Sequence, residues 1–127
     1  MQELGVIEII TKDHTCQNGE AERVLPIIHR RLLEGNSIFI RKNNSLCFLT
    51  RLDNEKLEVH FYSVDSALLV VRAVKYFIEQ MKSAGYKWMY INDFSDVNMK
   101  RILDMLKHFV EPSDIQSFKY MLNLRSK

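Results

Sequence analysis

The chain has few of the residues that mark unusual architectures. Its 127 residues include 2 cysteines, 2 prolines and 4 glycines. Cys16 and Cys47 are not in CxxC spacing, so the sequence predicts neither a disulfide framework nor a metal site, and we expect buried or idle thiols. No apolar run approaches the length that spans a bilayer, and the start, Met-Gln-Glu-Leu-Gly, does not resemble a signal peptide. We therefore expect a cytoplasmic protein without a membrane partner.

The chain also has no large excess of basic or of acidic residues. The 18 basic and 16 acidic residues give a net charge of +2, which is too small to indicate a nucleic-acid surface. The basic pairs Arg30-Arg31 and Arg41-Lys42 are short, so binding through a basic edge stays open without being required. With 46% hydrophobic and 27% charged residues, the composition is typical of a packed globular protein, and we expect a single domain over residues 1–127.

The N-terminal third predicts a strand, a loop and a helix. The β-branched run Gly5 to Ile10 favours a strand, and the polar stretch Thr11 to Gly19 favours a loop. A helix follows and runs to about Glu34, where Gly35 caps it. Because a proline inside a helix removes a hydrogen bond, we expect Pro26 to lie in the first turn.

Alternating apolar residues and tight turns predict an antiparallel meander in the middle of the chain. Its three strands are Ser37 to Lys42, Leu46 to Leu52 and Leu57 to Ser63. In the third strand Leu57, Val59 and Phe61 share one face, and Glu58, His60 and Tyr62 share the other. We expect only the first of these faces to pack against a core.

The remaining elements complete a mixed sheet. An apolar stripe from Ala67 to Met81 predicts a long helix, and the strand Trp88 to Asn92 after it favours parallel pairing with Leu57 to Ser63. A helix from Ser95 to Phe109, ended by Glu111-Pro112, and a closing strand from Ser117 to Leu124 follow. The predicted fold is α/β with a mixed (α+β) sheet, in the order β-α-β-β-β-α-β-α-β.

This order resembles the acyl-CoA-dependent N-acetyltransferase (GNAT) fold. The residues that carry the resemblance are the meander feeding a long helix, the strand ending in Asn92-Asp93, and the segment RVLPIIHRRLLEGNSIFI, which is similar to compact, phage-type members. The match is closest from Ser37 to Phe109. The resemblance implies acetyl-CoA as a cofactor and an amine of a protein or small molecule as the acceptor.

Cofactor binding in active members uses the loop before the long helix, with the pattern Arg/Gln-x-x-Gly-x-Gly/Ala. Here the loop reads Ser63-Val64-Asp65-Ser66-Ala67-Leu68, without a glycine and with a carboxylate that disfavours a nearby pyrophosphate. The resemblance implies that an acyl-CoA would meet the residues Ser63, Val64, Ser66, Ala67 and Asn92. Alternatively, Ser63, Asp65 or Ser66 caps the helix, and Asn92 and Asp93 are turn residues.

The candidate catalytic residues lie on the polar face of the third meander strand. His60 is the first candidate for a general base because an unperturbed histidine titrates at about 6.5, and Glu58 is the second. A histidine on a strand can equally be a packed or solvated residue. The family often has a tyrosine acid in the last helix, but Leu103 to Phe109 contains none.

Two functions follow from these residues. The missing glycines and tyrosine favour a divergent or non-catalytic GNAT-like domain that acts as a binding or structural component, with a protein partner in an oligomer or assembly. Such a protein would be cytoplasmic, or part of a virion if it comes from a phage. The alternative is an acetyl-CoA-dependent N-acetyltransferase.

Overall fold

The computed structural model describes residues 4–13, 16, 19–91, 110–115, 118 and 120–124. These residues form a mixed α+β fold. The helices within them are α1 (Val6–Lys12), α2 (Glu20–Glu34) and α3 (Ala67–Ser83). The strands are β1 (Ser37–Lys42), β2 (Ser45–Arg51), β3 (Lys56–Ser63), β4 (Trp88–Ile91), β5 (Val110–Pro112) and β6 (Tyr120–Asn123). None of these helices combines the length and apolar character needed to cross a bilayer.

The strands form one sheet in the order β1-β2-β3-β4-β6-β5. The antiparallel meander β1-β2-β3 is confirmed, and its first turn is tight, with Lys42 opposite Ser45 and Asn43 at a φ of 55°. The predicted parallel pair is confirmed as well, because Leu57 of β3 lies opposite Met89 of β4. The long helix α3 connects these two strands, as a crossover between parallel strands requires. A hairpin of β5 and β6 completes the sheet on the far side of β4.

Each face of the sheet packs against its own hydrophobic core. On one face α3 covers β2, β3 and β4, and Phe77 of α3 belongs to one cluster with Leu57 and Val59 of β3. On the other face α1 and α2 cover β2 and β3, and Tyr62 belongs to that second cluster. The prediction that only one face of β3 packs against a core is therefore wrong. Glu58 and Tyr62 are 8% and 7% exposed, because helices cover their face too.

The first element is a helix, so the strand predicted from Gly5 to Ile10 is wrong. Main-chain bonds of helical spacing run from Ile9 N to Gly5 O and from Asp13 N to Ile9 O. The loop predicted from Thr11 also begins too early, since α1 continues to Lys12. A short apolar run fits a buried helix as well as a strand. Glu8 and Lys12 are four residues apart, which is the spacing of neighbours on a helix, and their charged groups lie 3.2 Å apart. The strand prediction did not take this spacing into account.

The second helix begins earlier than predicted. Because α2 starts at Glu20, Pro26 lies in its interior and not in its first turn. A proline there leaves the carbonyl four residues earlier without its usual donor. Burial of Ala21 and Ile28 on the face toward the sheet holds the helix across this position. Gly35 is confirmed as the cap that ends the helix, with a φ of 85° that suits glycine.

The C-terminal elements differ from the prediction in two ways. Val110–Pro112 is a strand that the sequence did not predict, since Glu111-Pro112 was expected to end a helix. A proline is tolerated at the end of an edge strand because no ladder bond is lost there. The closing strand is confirmed with its described part at Tyr120–Asn123, and it ends one residue earlier than predicted. The predicted helix from Ser95 to Phe109 lies outside the described residues.

Candidate functional site

Glu58 is the centre of a charged cluster between β3 and α2. Strand alternation directs Glu58 and His60 to the face that α2 covers, and Arg31 reaches this face from the last turn of α2. Arg31 Nη1 donates to Glu58 Oε1 at 3.0 Å. His60 Nε2 lies 2.7 Å from the other carboxylate oxygen, Oε2. Each oxygen of the carboxylate therefore has its own nitrogen partner.

The partners of Glu58 keep it ionised. Burial by itself would raise its pKa, but the hydrogen bond and charge of His60 and the charge of Arg31 outweigh burial, so the pKa is lowered. A carboxylate with a lowered pKa and two occupied oxygens is a weak proton acceptor. Of the two predicted bases, the geometry favours His60 over Glu58.

The contact with Glu58 also selects the tautomer of His60. An ionised carboxylate has no proton to give, so the Nε2–H of His60 is the donor. In the neutral ring the lone pair then lies on Nδ1, which is the atom that could accept a proton. The His60 side chain is 37% exposed, so the ring is neither sealed in the core nor fully in water. A carboxylate that orients a histidine in this way is a feature that catalytic and structural sites share.

Tyr62 continues the same row on β3 but lies deeper. It is buried in the second core, and burial, together with the nearby Cys16 and Asp13, raises its pKa. The phenol therefore stays protonated over the physiological range. With 7% of its surface exposed, it has little contact with solvent or with any ligand outside the core.

The predicted cofactor loop after β3 is tied to the rest of the protein through its main chain. Ser63 N donates to Asp13 Oδ2 at 2.7 Å, and Val64 N donates to Asn44 O at 3.2 Å. The hydroxyl of Ser63 lies 2.7 Å from Ser45 Oγ. These groups are the ones that the resemblance assigned to an acyl-CoA, and each already has a partner inside the protein.

The Asp65 side chain bonds to the β1–β2 turn, whereas a helix cap would accept from an amide in the first turn of α3. Its Oδ2 accepts from Asn44 N at 3.0 Å and from Ser45 Oγ at 2.6 Å, so the side chain links the loop to the β1–β2 turn. Ser66 occupies the N-cap position of α3 but makes no capping bond with its side chain. The exposed Ser66 and the first amides of α3, at Ala67 and Leu68, are the remaining parts of the predicted cofactor site.

The other predicted site residues contribute less. Asn92 lies outside the described residues. The prediction that the cysteines are buried is confirmed for both Cys16 and Cys47, and burial raises the pKa of the Cys47 thiol. In the described part of the chain, no three His, Cys, Asp or Glu side chains are grouped so that they could hold a metal ion.

Arg31 and Asp13 are the site residues that the sequence did not indicate. The sequence places Arg31 only in a short basic pair, but its side chain pairs with Glu58 across 27 positions of the chain. Asp13 was placed in a loop, but it is 3% exposed and binds Ser63 N across 50 positions. No local pattern carries such long-range pairs. For the pair of Arg31 and Glu58, the one signal in the sequence was an arginine in the last turn of the helix that precedes the meander.

Comparison of the chain with protein-family models, with curated proteins and with solved structures gave no match.

Substitution of Glu58 by glutamine tests the charged cluster. Because the folded-state pKa of Glu58 is lowered, its stabilising contribution is present above the unfolded pKa and is lost as pH falls through the folded pKa. We expect Glu58→Gln to lower the free energy of unfolding by about 1–3 kcal/mol at pH 7. This difference from the wild type should shrink below the unperturbed pKa of 4.5. Urea unfolding at a series of pH values from neutral to acid measures both effects.

Glu79→Gln on α3 is the matched control, because Glu79 is exposed on a helix surface. We expect that variant to change stability by less than about 0.5 kcal/mol at any of these pH values. A difference between wild type and Glu58→Gln that does not vary with pH would contradict the ionised state of Glu58.

Proposed function

We propose that the protein is a GNAT-like domain that has lost acyl transfer and acts as a binding or structural component. The observation that carries the proposal is the internal bonding of the loop before α3. Ser63 N and Val64 N, which would have to face a cofactor pyrophosphate, donate instead to Asp13 and Asn44. An amide that already has a partner inside the protein gains little by exchanging it for a ligand.

The arrangement of the sheet supports the GNAT part of the proposal. A meander leads into the long helix α3, and α3 leads into β4, which pairs in parallel with β3. This is the middle part of the order on which the resemblance was based, whereas the first element of that order, expected as a strand, is the helix α1. The support comes from topology, and topology by itself does not assign an activity.

Electrostatics supports the loss of cofactor binding. The carboxylates of Asp13 and Asp65 both bond to this loop or to the turn beside it. A pyrophosphate at the start of α3 would approach these two carboxylates, which repel an anion. Arg41, at the β1–β2 turn, donates to Asn43 O and to Asn44 Oδ1. Helix N-termini attract anions, but the partial charge involved is only about half an elementary charge.

One observation favours the alternative, an acetyl-CoA-dependent N-acetyltransferase. Glu58 orients His60 with Nδ1 as the atom able to accept a proton, and the ring is partly exposed. A base held in this way is what deprotonation of an acceptor amine needs. Under this alternative the exposed Ser66 and the first amides of α3 would hold the cofactor in place of a glycine loop.

Calorimetric titration of the full chain with acetyl-CoA separates the two functions. We expect no binding up to millimolar ligand, which corresponds to an affinity weaker than about −4 kcal/mol. An acyl-transfer assay that follows release of the CoA thiol should likewise give no turnover with small-molecule or peptide amines.

Tight binding of acetyl-CoA with turnover would overturn the proposal. In that case His60→Ala and Glu79→Gln form the matched pair, since the first removes the candidate base and the second alters an exposed surface residue on α3. Turnover lost in His60→Ala alone would assign the base. Turnover kept in both variants would remove His60 from the catalytic role.

A further inference from the structure

The two edges of the sheet differ in how they are protected. Within the described residues the β5 edge is three residues long and ends in Pro112, and both features hinder pairing with another strand. The β1 edge has six residues and no proline, and among the described residues β1 pairs with β2 alone. The β1 edge is therefore the one suited to pairing with a further strand.

The phase of the β1–β2 ladder determines which main-chain groups face outward. Arg51 N donates to Asn36 O at 2.8 Å, so Asn36 and every second residue after it direct their main-chain groups toward β2. Ile38 and Ile40 belong to this inward set. The main-chain N–H and C=O of Phe39 point the other way, away from the sheet. They lie at the centre of the edge.

Apolar side chains border this edge. Ile38 is 58% exposed although it lies within a strand. It shares a face with Ile40, which packs against the core under α3. An exposed strand edge with apolar neighbours is a surface that pairs with another chain.

We propose that β1 pairs antiparallel with β1 of a second copy of this chain, with the two-fold axis at Phe39. In this register the outward main-chain groups of Phe39 bond to those of Phe39 in the second copy. Phe39 is the residue at the centre of the edge whose main-chain groups point outward. Ser37, nearer the end of α2, is buried and is therefore less suited to lie at the axis. The inference does not depend on whether the domain binds an acyl-CoA.

The side chains of β1 favour a second copy as the occupant. Around an axis at Phe39, Ile38 lies opposite Ile40 of the second copy, so the exposed apolar side chain meets an apolar one. Arg41 lies opposite Ser37, so no cation is placed directly opposite another cation in the ladder. The net charge of +2 per chain adds little repulsion between two copies.

Sedimentation velocity over a range of protein concentrations tests the proposal. We expect the wild-type chain to change from monomer to dimer as its concentration rises. Ile38→Lys places a charge in the apolar contact and should raise the dimer dissociation constant at least about tenfold. Ile7→Lys is the matched control: Ile7 is 66% exposed on α1, which covers β3 and β2, and this variant should dimerise like the wild type.

Hydrogen exchange locates the contact independently of the variants. The Phe39 amide should exchange at least about tenfold more slowly at a concentration where the dimer forms than at one where it does not. The Arg51 amide, which bonds to Asn36 within one copy, should be equally protected at both. A chain that stays monomeric overturns the proposal. So does a dimer that survives Ile38→Lys, or one that leaves exchange at Phe39 unchanged.

Discussion

Truncation of Phe77 to alanine is expected to lower the free energy of unfolding by about 3–5 kcal/mol. Phe77 lies on α3 at the centre of the core between that helix and the sheet, with 2% of its surface exposed. Its ring packs edge-to-face on Phe61 of β3, with the centroids 5.9 Å apart. Removing the ring loses both the burial and this aromatic contact, and close packing prevents the cavity from closing fully. Urea unfolding measures the loss.

Leu68→Ala on the same helix is the control for that experiment. Leu68 is 62% exposed, so its truncation should change the free energy of unfolding by less than about 0.5 kcal/mol. A loss below about 1 kcal/mol for Phe77→Ala would contradict the packing of α3 on the sheet.

Asp65→Ala is expected to have the second-largest effect, about 2–3 kcal/mol of lost stability. The carboxylate accepts from Asn44 N and from the fully buried Ser45 hydroxyl, and alanine would leave the first of these buried donors without that acceptor. Ser45 keeps its contact with Ser63 Oγ, which limits the loss. Denaturant unfolding of the variant measures the change.

Asp53→Ala is the matched control, because Asp53 makes the same kind of bond in an exposed turn. Its Oδ1 accepts from Glu55 N at 2.8 Å. Water can replace the lost acceptor there, so we expect a loss of less than about 1 kcal/mol. Equal losses in the two variants would mean that burial of the Asp65 bonds contributes nothing.

The Asp65 result also bears on function. If the side chain fixes the loop before α3 to the β1–β2 turn, then Ser63 and Val64, which the resemblance assigned to an acyl-CoA, serve the fold instead. The candidate base is a different case, because the Glu58 and His60 pair is compatible with both proposed functions. The acetyl-CoA titration, and not the geometry of the pair, separates them.

Local sequence patterns determined the middle of the chain. Alternating apolar residues and the tight turn at Asn43 and Asn44 were sufficient for the meander, since strand pairing across a short turn is a local event. The stripe on α3 was sufficient for the long helix, and a long helix between two strands favours their parallel pairing, which β3 and β4 show. The candidate base His60 was also visible, because it shares a strand face with Glu58.

Tertiary structure decided the N-terminal helix, the second core and the partners of the site. Gly5 to Ile10 is too short for its periodicity to distinguish a strand from a helix. The segment is helical in the structure, where it packs against β2 and β3. Burial of Tyr62 and Glu58 followed from that packing. Arg31 meets Glu58, and Asp13 meets Ser63, only after distant segments come together. The sequence by itself determined the elements that local alternation and turns define. Packing decided the contacts between residues far apart in the chain, because burial and charge pairing depend on neighbours that no local pattern specifies.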